Sequence, residues 1–252
     1  MKRRPNAIAT FVRTYPFGIL LLAIFVMIVG APLTAEFAHR VPGAEGPGGL
    51  APLTILLTLA AAYAIWNHGS HRRAVTICVV GGILALLGLA SLLTDRQRVP
   101  DFVHLFAQTL FLLYVTGSIL RAVFRARVVD GNVLCGAACV YLLAGALCGY
   151  AYAMLEIVNH KSFTLTDPAM AASVDLYDQP GWLIYFSYTT LTTVGFGDVL
   201  PASSLARSLS VLEAVIGQIM LVVMIARLVG LHVAHSTTGH PGKLEISSDE
   251  KS

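Results

Sequence analysis

Residues 192–198 read Thr192-Thr193-Val194-Gly195-Phe196-Gly197-Asp198 and stand between a short aromatic segment and a long apolar one. An ordinary strand points successive groups to opposite sides, so lining up its carbonyls requires residues that accept left-handed dihedrals. Gly195 and Gly197 do this at little steric cost. A row of carbonyls facing one way can replace the hydration oxygens of a cation that leaves water. The stretch is therefore a candidate cation-coordinating loop. Its ligands are the backbone oxygens of Thr193, Val194, Gly195, Phe196 and Gly197, with the Thr193 hydroxyl at the inner end. Val194 and Phe196 are expected to turn their side chains outward against supporting structure.

The surroundings are those of a membrane protein. Of 252 residues, 56% are hydrophobic and 12% charged, and the mean hydropathy is +0.73. A helix crosses about 30 Å of hydrocarbon with roughly 20 apolar residues. Six stretches qualify as spans: 17–35, 50–66, 74–93, 102–120, 133–158 and 202–230. Residues 182–191 are apolar but too short to span, which fits a re-entrant helix. The expected fold is an all-α membrane protein of six transmembrane helices, with a re-entrant pore helix and filter loop between the fifth and sixth.

Basic residues orient this array, because short cytoplasmic loops carry an excess of Lys and Arg. Lys2, Arg3, Arg4 and Arg13 precede the first span, Arg72 and Arg73 follow the second, and Arg121, Arg125 and Arg127 follow the fourth. The opposite loops hold Arg40, the mixed set Asp95, Arg96, Arg98 and Asp101, and Lys161 against Asp167, Asp175 and Asp178. Both termini are then cytoplasmic and Asp198 faces outward. The net charge of +3 reflects this topology and gives no ground for nucleic-acid binding. A basic start before an apolar run also fits a signal peptide. Leu33, three residues before Ala35, makes a poor cleavage context, and a retained helix is expected.

Other features are plainer. Cys78, Cys135, Cys139 and Cys148 all fall inside spans without a neighbouring His or carboxylate, so they read as packing residues. Arg121, Arg125 and Arg127 lack the regular spacing through a span that voltage sensing requires. They form a collar suited to anionic lipid headgroups. His68 and His71 sit beside Arg72 and Arg73 in what reads as a solvated loop. Gly145 and Gly149, at i and i+4, let another helix come close. The loop after Val158 shows no periodicity. Three regions are expected: four peripheral helices (1–130), a pore domain (131–231) and a disordered tail (232–252).

The sequence Thr193-Val194-Gly195-Phe196-Gly197-Asp198 resembles the filter signature of the tetrameric potassium channels, with Phe196 at a position where Tyr is common. The resemblance covers roughly residues 133–230. It implies a homotetramer in the cell inner membrane, since one chain supplies one filter strand, and potassium as permeant ligand at Thr193, Val194, Gly195 and Phe196. No other cofactor is implied. Tyr185, thirteen residues before Asp198, matches an aromatic donor that bonds behind the filter. Thr189, nine before it, replaces a carboxylate often found there. Arg207 follows Asp198 by nine residues. Gly217 matches a hinge glycine, and Gln218 and Leu221 would face a central cavity. The function implied is passive potassium transport without catalysis. The alternatives are a less selective monovalent cation channel and, in a different class, a secondary transporter, which calls for repeated halves with interrupted helices in both, where this sequence offers one interrupted region.

Glu213 reads as the one acidic residue deep within a span. An ionisable group there is costly and is expected to face protein or water. The hydroxyls of Tyr188, Thr189 and Thr190 are the expected partners, through which Glu213 would brace the filter from behind.

Overall fold

Away from water, backbone N–H and C=O groups are satisfied within helices, and the apolar runs of this chain are helical. A computed structural model describes residues 15–38, 51–67, 71–91, 98–126, 130–176 and 179–238. In order these form α1 (Pro16–Ala38), α2 (Ala51–Asn67), α3 (His71–Ser91), α4 (Arg98–Arg125), α5 (Gly131–Val158), β1 (Phe163–Leu165), α6 (Pro168–Ser173), α7 (Gly181–Leu191), β2 (Val199–Pro201) and α8 (Ser204–Thr238). Lys2, Arg3, Arg4, Arg13, Arg40, His68, Asp95, Arg96, Arg127, Asp178 and residues 239–252 lie outside the described residues.

The packing centres on α5. Its start is set by Asp130, whose side chain accepts the Val133 N–H at 2.9 Å. From there α5 packs against α4, α1, α7 and α8, while α2 lies on α1 and α3. Asn132 Oδ1 accepts the Phe17 N–H at 2.9 Å and pins α1 to the first turn of α5. Phe17, Val140, Leu143 and Leu183 are fully buried in the core. The Gly145 and Gly149 pair does admit a helix, and that helix is α7. A Cβ on Gly145 would fall 2.8 Å from the Tyr188 ring, and one on Gly149 would fall 2.6 Å from Ile184 Cα.

Among the described residues, three helices are long and apolar enough to cross a membrane: Phe102–Arg125, Gly131–Val158 and Ser204–Gly230. Within α1 and α2, the stretches Pro16–Gly30 and Ile55–Asn67 are apolar as well.

Two expectations need correction. The loop after Val158 is ordered into β1 and α6, and β1 pairs antiparallel with β2 in the register Phe163↔Pro201, Thr164↔Leu200, Leu165↔Val199. Three-residue strands are too short for alternation to announce them. Residues 232–238, expected in a disordered tail, continue α8 to Thr238.

Candidate functional site

The short helix α7 ends at Leu191, and its last carbonyls hold the start of the 193–197 segment. Thr189 O accepts both Val194 N–H at 2.9 Å and Gly195 N–H at 3.1 Å, while Thr190 O accepts Thr193 N–H at 3.0 Å. Left-handed φ then recurs at every second residue: Thr193 at 61°, Gly195 at 54° and Gly197 at 78°. Val194 and Phe196, between them, do not share it. Alternating the hand of successive residues is the backbone pattern that turns carbonyls toward one side. The glycines were legible as left-handed positions, but Thr193 was not. A β-branched residue at positive φ is an outlier that costs on the order of 1–3 kcal/mol, and such outliers gather at functional sites.

The outer end is held from two directions. Tyr185 Oη donates to Asp198 Oδ2 at 2.7 Å, the contact that its spacing from Asp198 implied. Burial, then the hydrogen bond and charge of Asp198, push the Tyr185 hydroxyl up to about 12. The Tyr185 ring stacks on Phe196, with centroids 6.3 Å apart and planes 3° from parallel, so Phe196 does lean on its support. From the other side Thr166 N–H donates to Asp198 O at 2.9 Å and Thr166 Oγ1 to Gly197 O at 2.5 Å. Thr166 was missed in the sequence, because β1 brings it to the 193–197 segment across 31 residues. Its hydroxyl occupies one side of the Gly197 carbonyl, which departs from the expected row of five free oxygens.

Aromatic and hydroxyl groups support the inner end. Tyr141 Oη donates to Leu191 O at 2.8 Å, and Tyr188 Oη to Leu142 O at 3.1 Å. The rings of Tyr152, Phe163 and Phe186 form a triangle with centroids 5.2–5.5 Å apart. This joins α5, β1 and α7.

Glu213 is 4% exposed and does reach α7 from α8, but through partners other than those expected. Ser187 Oγ donates to Glu213 Oε1, and Tyr152 Oη donates to Oε2 at 2.5 Å. The Cys148 thiol also contacts this carboxyl group, which gives one supposed packing cysteine a polar neighbour. Thr189 Oγ1 donates instead to Phe186 O at 2.9 Å, and Tyr188 is used by α5 as above. A second acid is buried at the end of a span. Glu156, near the end of α5, is 2% exposed. It accepts Lys161 N–H at 2.6 Å and Phe163 N–H at 3.1 Å, and so fixes the turn into β1.

The remaining expected positions lie on α8. Gly217 is buried, and a Cβ there would fall 2.6 Å from Leu191 Cδ1 and 3.2 Å from Leu191 O. The expected hinge position is thus a close contact with the end of α7. Gln218 and Leu221 are exposed on the single chain. Arg207 Nε donates to Pro201 O at 3.1 Å, holding β2 to the first turns of α8.

Residues 137–232 match the ion channel family. This stretch runs from α5 through α7 and the 193–197 segment into α8, and it is an ion-channel domain. The match bears out the resemblance to channels of the potassium type at the level of the family. No curated protein and no solved structure matches the chain.

Proposed function

We propose that the protein is a potassium-selective channel that carries the ion passively across the cell inner membrane. The observation that supports this reading is the alternation of left-handed φ at Thr193, Gly195 and Gly197, directly after a short helix and between two helices able to span. Four copies of the chain surround one pathway, because each contributes a single filter strand. On α8, Val211, Leu212, Val215, Ile216, Ile219 and Val222 are exposed on the single chain, an apolar face that other copies or lipid would cover. Six spans with both termini cytoplasmic remain the proposed topology, α1 to α3 supplying the first three.

A less selective monovalent cation channel is the second reading. It draws on the Gly197 carbonyl, which is engaged by Thr166. Reconstitution in liposomes separates the two. Potassium and rubidium flux far above sodium flux supports the first, and equal permeabilities under biionic conditions support the second. Voltage dependence should be weak in either case, since each charge crossing the field contributes only about 2.3 kcal/mol per 100 mV and the described spans show no regular arginine array.

A further inference from the structure

Arg227 has no task in the conduction site. Its Nη1 donates to Val123 O at 2.9 Å, its Nη2 donates to Phe124 O, and its Cζ lies 4.3 Å over the Phe124 ring. Val123 and Phe124 stand in the last turn of α4, where the helix dipole concentrates negative charge on the final carbonyls, although Val123 O also accepts the Ala126 N–H at 3.3 Å. That turn carries its own Arg125, but Arg125 is exposed, and the cation over these carbonyls comes from α8. A planar, forked guanidinium can serve two carbonyls and stack on a ring at once, whereas Lys matches only its charge. Around the contact, Ala137 of α5 and Met224 and Leu228 of α8 close a small space with Val123 and Phe124. Arg227 lies roughly 21 Å along α8 from Glu213, at the end remote from the 193–197 segment.

We propose that Arg227 is a latch that fastens the inner end of α8 to the last turn of α4, so that the peripheral helices control how far α8 moves and how often the pathway is open. Arg227 acts here as a positioning residue. The inference rests on the ion-conducting reading of α8. It adds a route by which helices outside the matched channel domain act on the pore.

The test uses the full-length protein in nanodiscs for hydrogen exchange and in planar bilayers for single-channel recording. Four variants are compared with the parent: Arg227→Gln, Arg227→Lys, Phe124→Leu and the double variant Arg227→Gln/Phe124→Leu. In Arg227→Gln, amide exchange in the inner part of α8 should rise about tenfold, as expected for losing hydrogen bonds from a charged donor, with residues 181–198 unaffected. Arg227→Lys should fall between parent and Arg227→Gln. Adding Phe124→Leu to Arg227→Gln should have little further effect, because Phe124 acts through the arginine. Open probability should shift by about tenfold in step with the exchange, while unit conductance and ion selectivity stay parental.

Exchange and open probability unchanged in Arg227→Gln overturn the latch. A uniform rise in exchange across all helices also overturns it, because Arg227 is then only a general stabiliser. If Arg227→Gln does not assemble, Arg227→Lys and Phe124→Leu carry the same comparison. A parent protein without current refutes the conducting role of α8. In that case the exchange measurements alone still decide whether Arg227 joins the two helices.

Discussion

The Tyr185 hydroxyl is tied to the Asp198 carboxylate at 2.7 Å, so the outer end of the 193–197 segment is anchored to the same helix from which its inner end departs. The segment is therefore a loop fixed at both ends to α7. Its backbone shape depends on that helix as much as on its own glycines.

Tyr185→Phe keeps the ring that stacks on Phe196 and removes only the hydroxyl. A hydrogen bond to a charged group contributes about 1.5–3 kcal/mol, so the conducting form of the loop should lose at least tenfold in population. Rubidium uptake into liposomes measures this, with the state of assembly checked alongside. The pH dependence has a definite sign. Tyr185 is shifted above its ordinary value of about 10, so the contribution of its bond is whole below that pH and is lost as pH rises through about 12. Uptake that falls at alkaline pH in the parent should be flat across that window in Tyr185→Phe.

Gly195→Ala tests the backbone alone. No atom lies within 4 Å of the Cβ it would introduce, but φ is +54°. The strain is therefore dihedral, about 1–2 kcal/mol per chain, and would recur in each copy of an assembly. Flux should be lost while the yield and thermal unfolding of the assembled protein change little. Normal flux would remove Gly195 from the conduction pathway.

Comparison of these two positions shows where the sequence was informative. Gly195 and Gly197 announce their dihedrals, because glycine is the residue for which left-handed geometry is easy. Tyr185 and Asp198 could be paired because the resemblance to tetrameric potassium channels implied an aromatic donor thirteen residues before Asp198. Contacts set by the register of separate helices were not legible. That Glu213 would reach α7 followed from its depth, yet whether it met Ser187 or Thr189 depends on a rotation about α8 that no local pattern fixes. Arg227 sits within the apolar run of α8, and a lone cation there was a signal that could have been followed. Its partners, the carbonyls of Val123 and Phe124, carry no side-chain signature at all.

Thr166→Val removes the hydroxyl on Gly197 O and retains shape, β-branching and the backbone bond to Asp198 O. One hydrogen bond contributes about 0.5–1.5 kcal/mol, so a change of several-fold is expected. If the Gly197 carbonyl is restrained by Thr166, releasing it should alter ion affinity at the outer end of the pathway. Competition between potassium and sodium for rubidium uptake measures this. A ratio identical to the parent's would mean that the hydroxyl contact does not influence the filter.

Glu213 separates bracing from packing. Its two carboxyl oxygens meet Ser187 on α7 and Tyr152 on α5, and Ser187 Oγ also lies 2.6 Å from Gly145 O. Three helices are thereby joined through one side chain. Glu213→Gln preserves the shape, with an amide oxygen for Tyr152 and an NH2 group for Ser187, which remains free to donate to Gly145 O. Assembly, thermal unfolding and rubidium uptake should therefore stay near parental values. Glu213→Leu fills a similar space but strands the buried Tyr152 hydroxyl, at about 1–3 kcal/mol, while Ser187 keeps Gly145 O as acceptor. It should lower the unfolding temperature and reduce flux together, because the displaced element is the helix whose Thr189 carbonyl holds Val194 and Gly195. The double variant Tyr152→Phe/Glu213→Leu removes the stranded hydroxyl and should recover part of the stability lost in Glu213→Leu. If Glu213→Leu unfolds and conducts like the parent, the carboxylate neither braces α7 nor contributes to the position of the filter.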